Sequence, residues 1–401
     1  MKPRGNAWIG AEQAVERLGV SRATLYAYVS RGRIRSEPVP GEARRRRYSS
    51  EDIDSLLART SEHKDPGKAA TQALHFGLPV LESAITLIAG GRLYYRGHDA
   101  TELAATRSVS EVAALIWTGD FETESLGPLQ PKVRLPRLTA EMPFIARAQS
   151  MLASASVTDP AAYDLRELAV IRSGWRIVTI LARAAAGRAG REREIETLLA
   201  NAWHVARGKH LIRSALILCA DHELNVSAFT ARCVASAGTS PYGVVIAGLA
   251  ALEGYKHGGT TERVDALWDS LIASKDLERS LEARLRRGEP IEGFGHPLYP
   301  EGDPRTVALL GALPRTHEME FARRVIEAAR AVLGEHPNVD FALVAMARAL
   351  KLPHGSALTL FALGRSIGWI AQAIEQYASD TIIRPRAKYV GNVPGVSPSD
   401  R

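Results

Sequence analysis

Three histidines and one aspartate stand where the backbone can bring an ionisable side chain close to a small molecule. His257 precedes two glycines, His296 lies within Gly-Phe-Gly-His-Pro, Asp340 follows Pro-Asn-Val, and His222 follows Ala-Asp. Glycine permits close approach of a ligand to the backbone, and the helix start predicted after His257 lowers its pKa. A neutral imidazole N–H is a suitable donor to an enolate oxygen. Each position also has a plain structural alternative: a loop at His257, dipole stabilisation at Asp340, and a satisfied polar side chain at His222.

Four arginines extend the pattern toward anion binding. Asp303-Pro304-Arg305 reads as the N-cap and first two positions of a helix, which places a cation where the helix dipole disfavours it. Arg365 lies in a helix that is apolar almost all round, and a buried guanidinium requires an anion, either a structural carboxylate or a ligand. Arg384-Pro385-Arg386 adds two cations on a stiff backbone. Several arginines with separate histidines suit a small polycarboxylate, which guanidinium groups bind bidentately.

The elements that must position these residues are mostly helices. Apolar residues recur at three- and four-residue spacing and alternating β-branched runs are scarce, so the sequence predicts an all-α fold. With 46% hydrophobic and 24% charged residues in 401, the composition is that of a soluble protein with two or three folding units. Residues 61–74 are interpreted as a linker, 1–60 as a separate N-terminal domain.

Membrane, metal and disulfide functions are not favoured. The most apolar stretch, 357–374, carries Arg365 at its centre, which costs about 2.5–3.5 kcal/mol in a membrane, so a buried helix is predicted. Cys219 and Cys233 form no metal-ligand spacing and no CxxC pair, which fits a reducing cytoplasm. The N-terminus leads into no apolar run, so no secretory signal is expected. We expect neither a metal nor a tightly bound cofactor.

The N-terminal 60 residues combine basic charge with a helix-turn-helix pattern. Residues 1–66 hold 13 Lys/Arg against 9 Asp/Glu, a net +4 of the chain's formal +7. A short amphipathic helix over 11–20 contains Gly19 for the turn, and Ser21 is a good N-cap for a second helix over 22–29. The stretch 8–58 resembles the winged helix-turn-helix of excisionases and MerR-type regulators. In that family the second helix enters the major groove of double-stranded DNA and the basic hairpin lies against phosphates, which makes candidate contacts of Arg22, Tyr26, Tyr28, Arg44, Arg45, Arg46 and Arg47. A three-helix bundle for protein contacts is the alternative.

Six ordered motifs in the rest of the chain resemble the citrate synthase family. They are ADHELNVSAFTAR, HGGTTE, GFGHPLYPEGDPR, HPNVDFALV, FALGRSIGWIAQAIEQ and RPRAKYVG, and the earlier GRLYYRGHDATELAATRSVSEVAALIWTGDF is similar to the family's N-terminal segment. The match spans roughly residues 75–395. It implies a helical fold with a large domain (75–257 and 346–401) and a small domain (258–345) that close over the substrates, and a homodimer.

The resemblance also implies roles for single residues. His257 would donate to the thioester carbonyl while Asp340 removes a methyl proton from acetyl-CoA. His296 would polarise the keto group of oxaloacetate and protonate the new alkoxide. The carboxylates of oxaloacetate would be bound by His222, Arg305, Arg365 and, across the dimer interface, Arg384, with Arg386 a weaker candidate.

Departures from the family pattern leave the substrate and the role open. The family usually has Ala-Asn after His-Gly-Gly, where this chain has Thr260-Thr261; Pro297 and Pro300 replace frequent basic residues, so phosphate contacts to CoA are weaker or come from elsewhere. Propionyl-CoA in place of acetyl-CoA would make the protein a 2-methylcitrate synthase, and one methylene discriminates by only about 1–3 kcal/mol. A transcription regulator that senses these metabolites without turnover is the alternative from another class.

Overall fold

The protein consists of two compact units, Met1–Glu82 and Ser83–Arg401. The structure, a computed structural model, describes residues 8–30, 33–39, 42–50, 52–53, 81–127, 142–187, 192, 194–387 and 389–391. The predicted linker 61–74 lies outside the described residues. The predicted division of the larger unit into two domains stays a prediction.

The N-terminal unit contains the helix pair that the sequence predicts. Helix α1 (Ala11–Leu18) ends at Gly19, whose φ of 64° is left-handed and therefore favours a residue without Cβ. Helix α2 (Arg22–Ser30) follows, and the Ser21 Oγ accepts the backbone N–H of Thr24 at 3.2 Å. The predicted cap and turn are thus confirmed.

A three-stranded antiparallel sheet completes this unit. Strand β3 (Glu42–Ser49) lies between β1 (Trp8–Gly10) and β2 (Ser36–Val39), and β2 with β3 forms the basic hairpin. The helices and the sheet share a small core of buried side chains: Ala14, Leu25, Ile34, Tyr48 and Ile53. Because helices and hairpin pack on one core, they form a single small folding unit.

The larger unit is built of helices, as predicted. In chain order they are α3 (Ala100–Thr106), α4 (Val109–Thr118), α5 (Phe144–Thr158), α6 (Glu167–Ala186), α7 (Ile195–Ala202), α8 (Lys209–Leu218), α9 (Val226–Ser236), α10 (Pro241–Leu252), α11 (Thr260–Ile272), α12 (Leu277–Arg286), α13 (Pro304–Ala312), α14 (His317–Leu333), α15 (Val339–Ala349) and α16 (Ser356–Ser379), with short 3₁₀ turns at Thr123–Leu126 and Ala206–Gly208.

A small sheet in this unit was not predicted. Strands β4 (Thr86–Ala89), β5 (Arg92–Tyr95) and β6 (His98–Asp99) pair antiparallel in that order. Strands of two to four residues are too short to show an alternating pattern. The usable indication was Gly90-Gly91, whose φ values of 59° and 72° form the tight turn between β4 and β5.

Helix α16 is the centre of the larger unit and packs against α4, α6, α8, α9, α10 and α15. It is the one helix in the described part of the chain that is long and apolar enough to cross a membrane, and 94% of its apolar window is buried inside the protein. Gly364 and Gly368 permit close contact with residues 216–221, because a Cβ at either position would collide with a carbonyl oxygen there. The Gly368 N–H donates to the Ala220 carbonyl at 2.9 Å. Arg365 is thereby placed beside residues 219–222.

Candidate active site

Arg365 is a buried cation with unused hydrogen-bond donors. The residue is 0% exposed, its Nε donates to the Cys219 carbonyl at 2.8 Å, and its guanidinium lies 5.0 Å from the centre of the Phe361 ring. Neither Nη1 nor Nη2 has a hydrogen-bond partner among the described residues. Burial lowers the pKa of Arg365. The nearby buried carboxylate of Asp221 favours the charged form of Arg365 electrostatically, but it does not accept a hydrogen bond from either Nη group. Because buried donors without an acceptor are strongly unfavourable, these two groups are prepared for an anionic ligand.

His222 and His296 lie next to each other on one side of this region. Their ring centres are 5.1 Å apart, and the hydroxyl of Tyr299 lies 3.0 Å from the His222 Nε2. Burial, followed by the positive charges of Arg305 and Arg365, lowers the pKa of His222 well below its usual value. Burial and Arg305 lower the pKa of His296 to about 4. Both rings are therefore neutral near pH 7.

Arg305 is held in place by the carboxylate that caps its own helix. Asp303, the N-cap of α13, accepts the Arg305 Nε at 3.0 Å and the Nη2 at 2.7 Å, and both side chains are buried. This ion pair offsets the unfavourable interaction between the Arg305 cation and the dipole of its helix, and it raises the pKa of Arg305. The guanidinium also lies 5.6 Å from the centre of the Tyr299 ring. Because Asp303 pairs with only one side of the group, Arg305 keeps donor capacity for a ligand.

His257 is positioned by a turn that only small residues can make. The glycines after it pack against the end of α10, where a Cβ at Gly258 would lie 2.6 Å from the Leu252 carbonyl oxygen. The His257 Nε2 lies 2.8 Å from the Oγ of buried Ser227. Burial and then the charge of Arg365 lower the pKa of His257 to about 4. The ring is neutral, as the sequence predicts, although burial is the main cause.

Asp340 occupies the first turn of α15, whose N-cap Asn338 accepts the backbone N–H of Asp340 at 3.1 Å. The segment before it is joined to the His296 loop, because the Gly295 N–H donates to His336 at 2.8 Å and the Asn338 N–H donates to Gly293 at 2.9 Å. Burial raises the pKa of Asp340 to about 7, against the opposing charges of Arg305 and Arg365. A carboxyl group with this pKa is a stronger base than an ordinary aspartate.

These residues surround the two buried guanidinium groups. Arg305 acts electrostatically on His222, His296 and Asp340, and Arg365 acts on His222, His257 and Asp340. Positions separated by more than a hundred residues in the sequence are therefore close in space. A neutral histidine pair, a third neutral histidine, a basic carboxylate and two cations can together bind a polycarboxylate and move a proton beside it.

Arg384 and Arg386 are not part of this cluster within one chain. Both side chains are exposed in the irregular segment after α16, and neither makes a hydrogen bond or ion pair with any described residue. The interface role predicted for Arg384 is therefore a prediction about a partner chain.

Sequence reasoning missed Tyr299, Ser227 and Phe361. Tyr299 lies in the same quoted motif as His296, and its ring centre is 5.1 Å from that of His296. Phe361 faces both His257, at 5.9 Å between ring centres, and Arg365. No spacing rule links these residues in the sequence, because their contacts form only when α9, α16 and the His296 loop pack together. Within the described ranges no group of three or more His, Cys, Asp or Glu side chains could hold a metal ion.

Comparison with known proteins identifies the larger unit. The family model for the citrate synthase C-terminal domain matches residues 74–386, most of the chain. The chain belongs to the citrate synthase family. "Citrate synthase 2" of Bacillus subtilis is 30% identical over 361 residues, covering 80% of this chain and 96% of that protein. A 2-methylcitrate synthase of Shewanella oneidensis is 29% identical over 343 residues, covering 77% and 91%.

The fold comparison agrees. The crystal structure of citrate synthase from Thermotoga maritima superposes with a TM-score of 0.66 at 28% sequence identity, covering 81% of this chain and 98% of that chain. The predicted all-α citrate synthase fold is confirmed. A helix-turn-helix domain model matches residues 8–61, which confirms the predicted N-terminal domain type.

In that domain the candidate DNA contacts differ in accessibility. Tyr26 is 53% exposed, whereas Tyr28 is partly buried against the small core. Arg22 pairs with Glu12 at 2.9 Å, and the exposed Arg46 donates to the Ser36 carbonyl at 3.0 Å.

On the hairpin, Arg47 donates to Glu37 at 2.7 Å and lies 5.6 Å from the Trp8 ring centre. The side chains of Arg44 and Arg45 lie outside the described residues.

Proposed function

We propose that this citrate synthase family member condenses an acyl-CoA with oxaloacetate and water to give citrate, or 2-methylcitrate, and CoA. The observation that carries the proposal is that the two Nη groups of buried Arg365 have no hydrogen-bond partner among the described residues and lie among neutral histidines and a basic aspartate. A structural arginine would have a protein partner at these atoms. An α-keto dicarboxylate supplies the missing anion.

Oxaloacetate binds with its carboxylates on Arg365, Arg305 and His222. The bidentate geometry of guanidinium and carboxylate orients the keto group toward His296, which is neutral and can donate an N–H to the keto oxygen. In the homodimer that we also propose, Arg384 of one chain reaches the site of the other.

The acyl-CoA is activated by Asp340 and His257. Asp340 takes a proton from the carbon next to the thioester carbonyl, and the N–H of neutral His257 stabilises the enolate oxygen that develops. The enolate carbon attacks the keto carbon of oxaloacetate, and His296 delivers a proton to the resulting alkoxide. Water then cleaves the thioester, which releases CoA as the thiol and leaves the new carboxylate. A donor of this kind contributes about 10²–10³ in rate and a positioned base about 10²–10⁴.

The test is a thiol-release assay on the full chain with oxaloacetate and either acetyl-CoA or propionyl-CoA. CoA release that requires both substrates supports the proposal, and the ratio of kcat/KM values decides between the citrate and 2-methylcitrate reactions. Oxaloacetate binding without CoA release from either thioester would reject turnover and favour the metabolite-sensing regulator.

The pH dependence follows from the pKa of Asp340. Only the ionised carboxylate accepts a proton, so we expect kcat/KM to rise from low pH and to level off above a pKa of about 7. His257 and His296 contribute no change near neutrality, because their pKa values are lowered to about 4. Initial rates between pH 5 and 9 measure this. A flat profile across neutrality contradicts the assignment of Asp340 as base.

Tyr299 is expected to be a positioning residue for oxaloacetate. Burial raises the pKa of its hydroxyl, which therefore stays protonated and shares a hydrogen bond with the His222 Nε2. Tyr299→Phe removes this bond alone, and we expect the KM for oxaloacetate to rise about three- to tenfold with kcat nearly unchanged. Tyr377→Phe, which removes a partly buried hydroxyl bonded to the Thr239 carbonyl, is the control and should leave this KM unchanged. If both substitutions raise the KM for oxaloacetate equally, Tyr299 contributes only to general packing.

DNA binding is the second candidate function, and the helix-turn-helix match with its exposed Tyr26 and Arg46 favours it. The second helix would lie in the major groove and the arginine hairpin against phosphates, and a dimer would present two such units. A metabolite-responsive regulator and a working enzyme can coexist in one cytoplasmic chain.

We expect the protein to bind duplex DNA, and we expect the logarithm of its affinity to fall linearly with the logarithm of the salt concentration. Arg46→Ala should reduce the slope by about one if that side chain neutralises one phosphate. Fluorescence anisotropy with the full chain and random-sequence duplex measures both. Salt-independent binding, or none, contradicts DNA as the partner and leaves protein contact as the role of the unit.

A further inference from the structure

A cavity with a mixed polar and apolar lining lies among three helices of the larger unit. It has a volume of about 250 Å³ and is enclosed by the start of α11, the end of α15 and the start of α16. None of His222, His257, His296 or Asp340 lines it. Helix α11 begins just after His257, α15 carries Asp340 and α16 carries Arg365. The cavity therefore adjoins the helices that position the candidate active site.

One wall of the cavity is a helix N-terminus with unused donors. The N-cap of α16 is Gly355, with a φ of 75° and no side chain to accept a hydrogen bond. The backbone N–H groups of the buried Ala357 and Leu358 donate to no atom in the described part of the chain. Ser356 is only 3% exposed, and its Oγ also has no partner there. Buried donors of this kind need an acceptor, and a carboxylate at a helix N-terminus supplies one.

Another part of the lining, the acidic wall, carries an excess of negative charge. Arg348 of α15 donates its Nε to Asp265 at 2.7 Å and pairs with Asp269 at 2.8 Å, and Glu262 completes this acidic wall. One guanidinium against three carboxylates leaves the wall anionic. His354, at the rim, is strongly exposed and lies 3.9 Å from Asp265. A cationic group on a ligand is favoured at this wall and disfavoured at the helix N-terminus.

The remaining lining is aliphatic. Val344 and Ala347 project from α15, and Leu352 and Pro353 come from the loop that follows. A ligand that fills the cavity therefore meets an apolar surface in addition to the donors of α16 and the acidic wall.

We propose that this cavity binds a small aliphatic L-amino acid. Its carboxylate would accept hydrogen bonds from the N-terminus of α16 and the Ser356 Oγ, its ammonium group would face Asp265 and Asp269, and its side chain would pack on Val344 and Leu352. This site is independent of the acyl-transfer reaction, so it stands or fails separately from the proposed function.

Isothermal titration calorimetry of the full chain with L-leucine tests the proposal. Two matched probes each lack one charged group: 4-methylpentanoate has no ammonium, and 3-methylbutylamine has no carboxylate. We expect L-leucine to bind and each probe to bind at least about tenfold more weakly, because each loses a charge-assisted contact. No binding of L-leucine up to about 10 mM would mean that water alone fills the cavity. Equal affinity of 4-methylpentanoate would also overturn the zwitterion assignment.

Two variants locate the binding. Ser356→Ala should weaken L-leucine about three- to tenfold by removing one donor, and Ala347→Leu, on a partly exposed helix face, should abolish binding by filling the cavity. Ser173→Ala is the control. Ser173 is another buried serine whose Oγ has no partner among the residues that the structure describes, but it lies in α6 and does not line the cavity. Circular dichroism confirms that each variant is folded. L-leucine binding that is unchanged in both cavity variants would place the amino acid elsewhere and overturn the proposal.

Discussion

Replacing Asp340 with Asn is expected to lower kcat by about 10²–10⁴ while the affinity for oxaloacetate stays nearly unchanged. The amide has almost the same shape and keeps its place in the first turn of α15, beside the Asn338 cap. It cannot accept the proton, so the step that forms the enolate loses its base. The variant should also lose the change of kcat/KM with pH near neutrality, because the pKa of about 7 belongs to the Asp340 carboxyl group.

Steady-state thiol release gives kcat, and calorimetric titration with oxaloacetate gives the binding constant. Asp276→Asn is the matched control: Asp276 caps α12, and asparagine caps helices equally well. A loss of activity in the Asp340 variant that comes with an equal loss of oxaloacetate binding would point to a structural role for this carboxylate. Activity at the level of the unchanged protein would remove Asp340 from the mechanism.

Replacing Arg365 with Met is expected to weaken oxaloacetate binding strongly, with little change in the stability of the empty protein. Two donors to a charged group are lost, each worth about 1.5–3 kcal/mol, so the affinity should fall on the order of 10²–10⁴-fold. Within the described part of the chain, the empty protein loses one hydrogen bond, to Cys219, and a buried cation whose Nη groups have no hydrogen-bond partner there. Methionine fills similar space without that desolvation penalty, which offsets the lost electrostatic attraction between Arg365 and the buried Asp221 carboxylate, so we expect little change in Tm.

Thermal unfolding with and without oxaloacetate measures both effects, because a ligand that binds only the folded state raises the Tm. Arg232 provides the control. It is also buried, but its Nε donates to Gln376 at 3.0 Å and its Nη1 to Gln372 at 3.0 Å and Glu375 at 2.9 Å. Arg232→Met should lower stability by several kcal/mol, since it breaks a satisfied buried network, and leave the oxaloacetate response intact. If the two variants behave alike, Arg365 is a structural residue.

The contrast between these two arginines shows where sequence reasoning ends. Both lie in helices with apolar neighbours. For Arg365 the residue pattern alone requires an anion and does not decide between a structural carboxylate and a ligand. The two arginines differ because Gln372 and Gln376 of α16 face Arg232 of α9 where these two helices pack together. That is a property of how the helices cross, which one-dimensional periodicity does not contain.

Local structure was largely predictable from the residues alone. The turn at Gly19, the caps Ser21, Asp303 and Asn338, and the helical character of the larger unit depend on contacts within a few residues, and the structure has them. The short sheet β4–β5–β6 escaped prediction because its strands are too brief for a pattern. The motif order alone was enough to indicate the citrate synthase family.

The tertiary structure determines the protonation state and the contacts of each functional side chain. The sequence attributes a neutral His257 to a helix dipole, but its pKa is lowered mainly by burial and by Arg365, 108 positions away in the numbering. The raised pKa of Asp340 and the contact of Tyr299 with His222 arise in the same way. So do the Nη donors of Arg365, for which the described residues provide no acceptor. Burial and charge act through space over a few ångströms, so they are defined only after distant segments have packed. The amino-acid types limit which chemistry is available, and the folded geometry determines the protonation states in which it can occur.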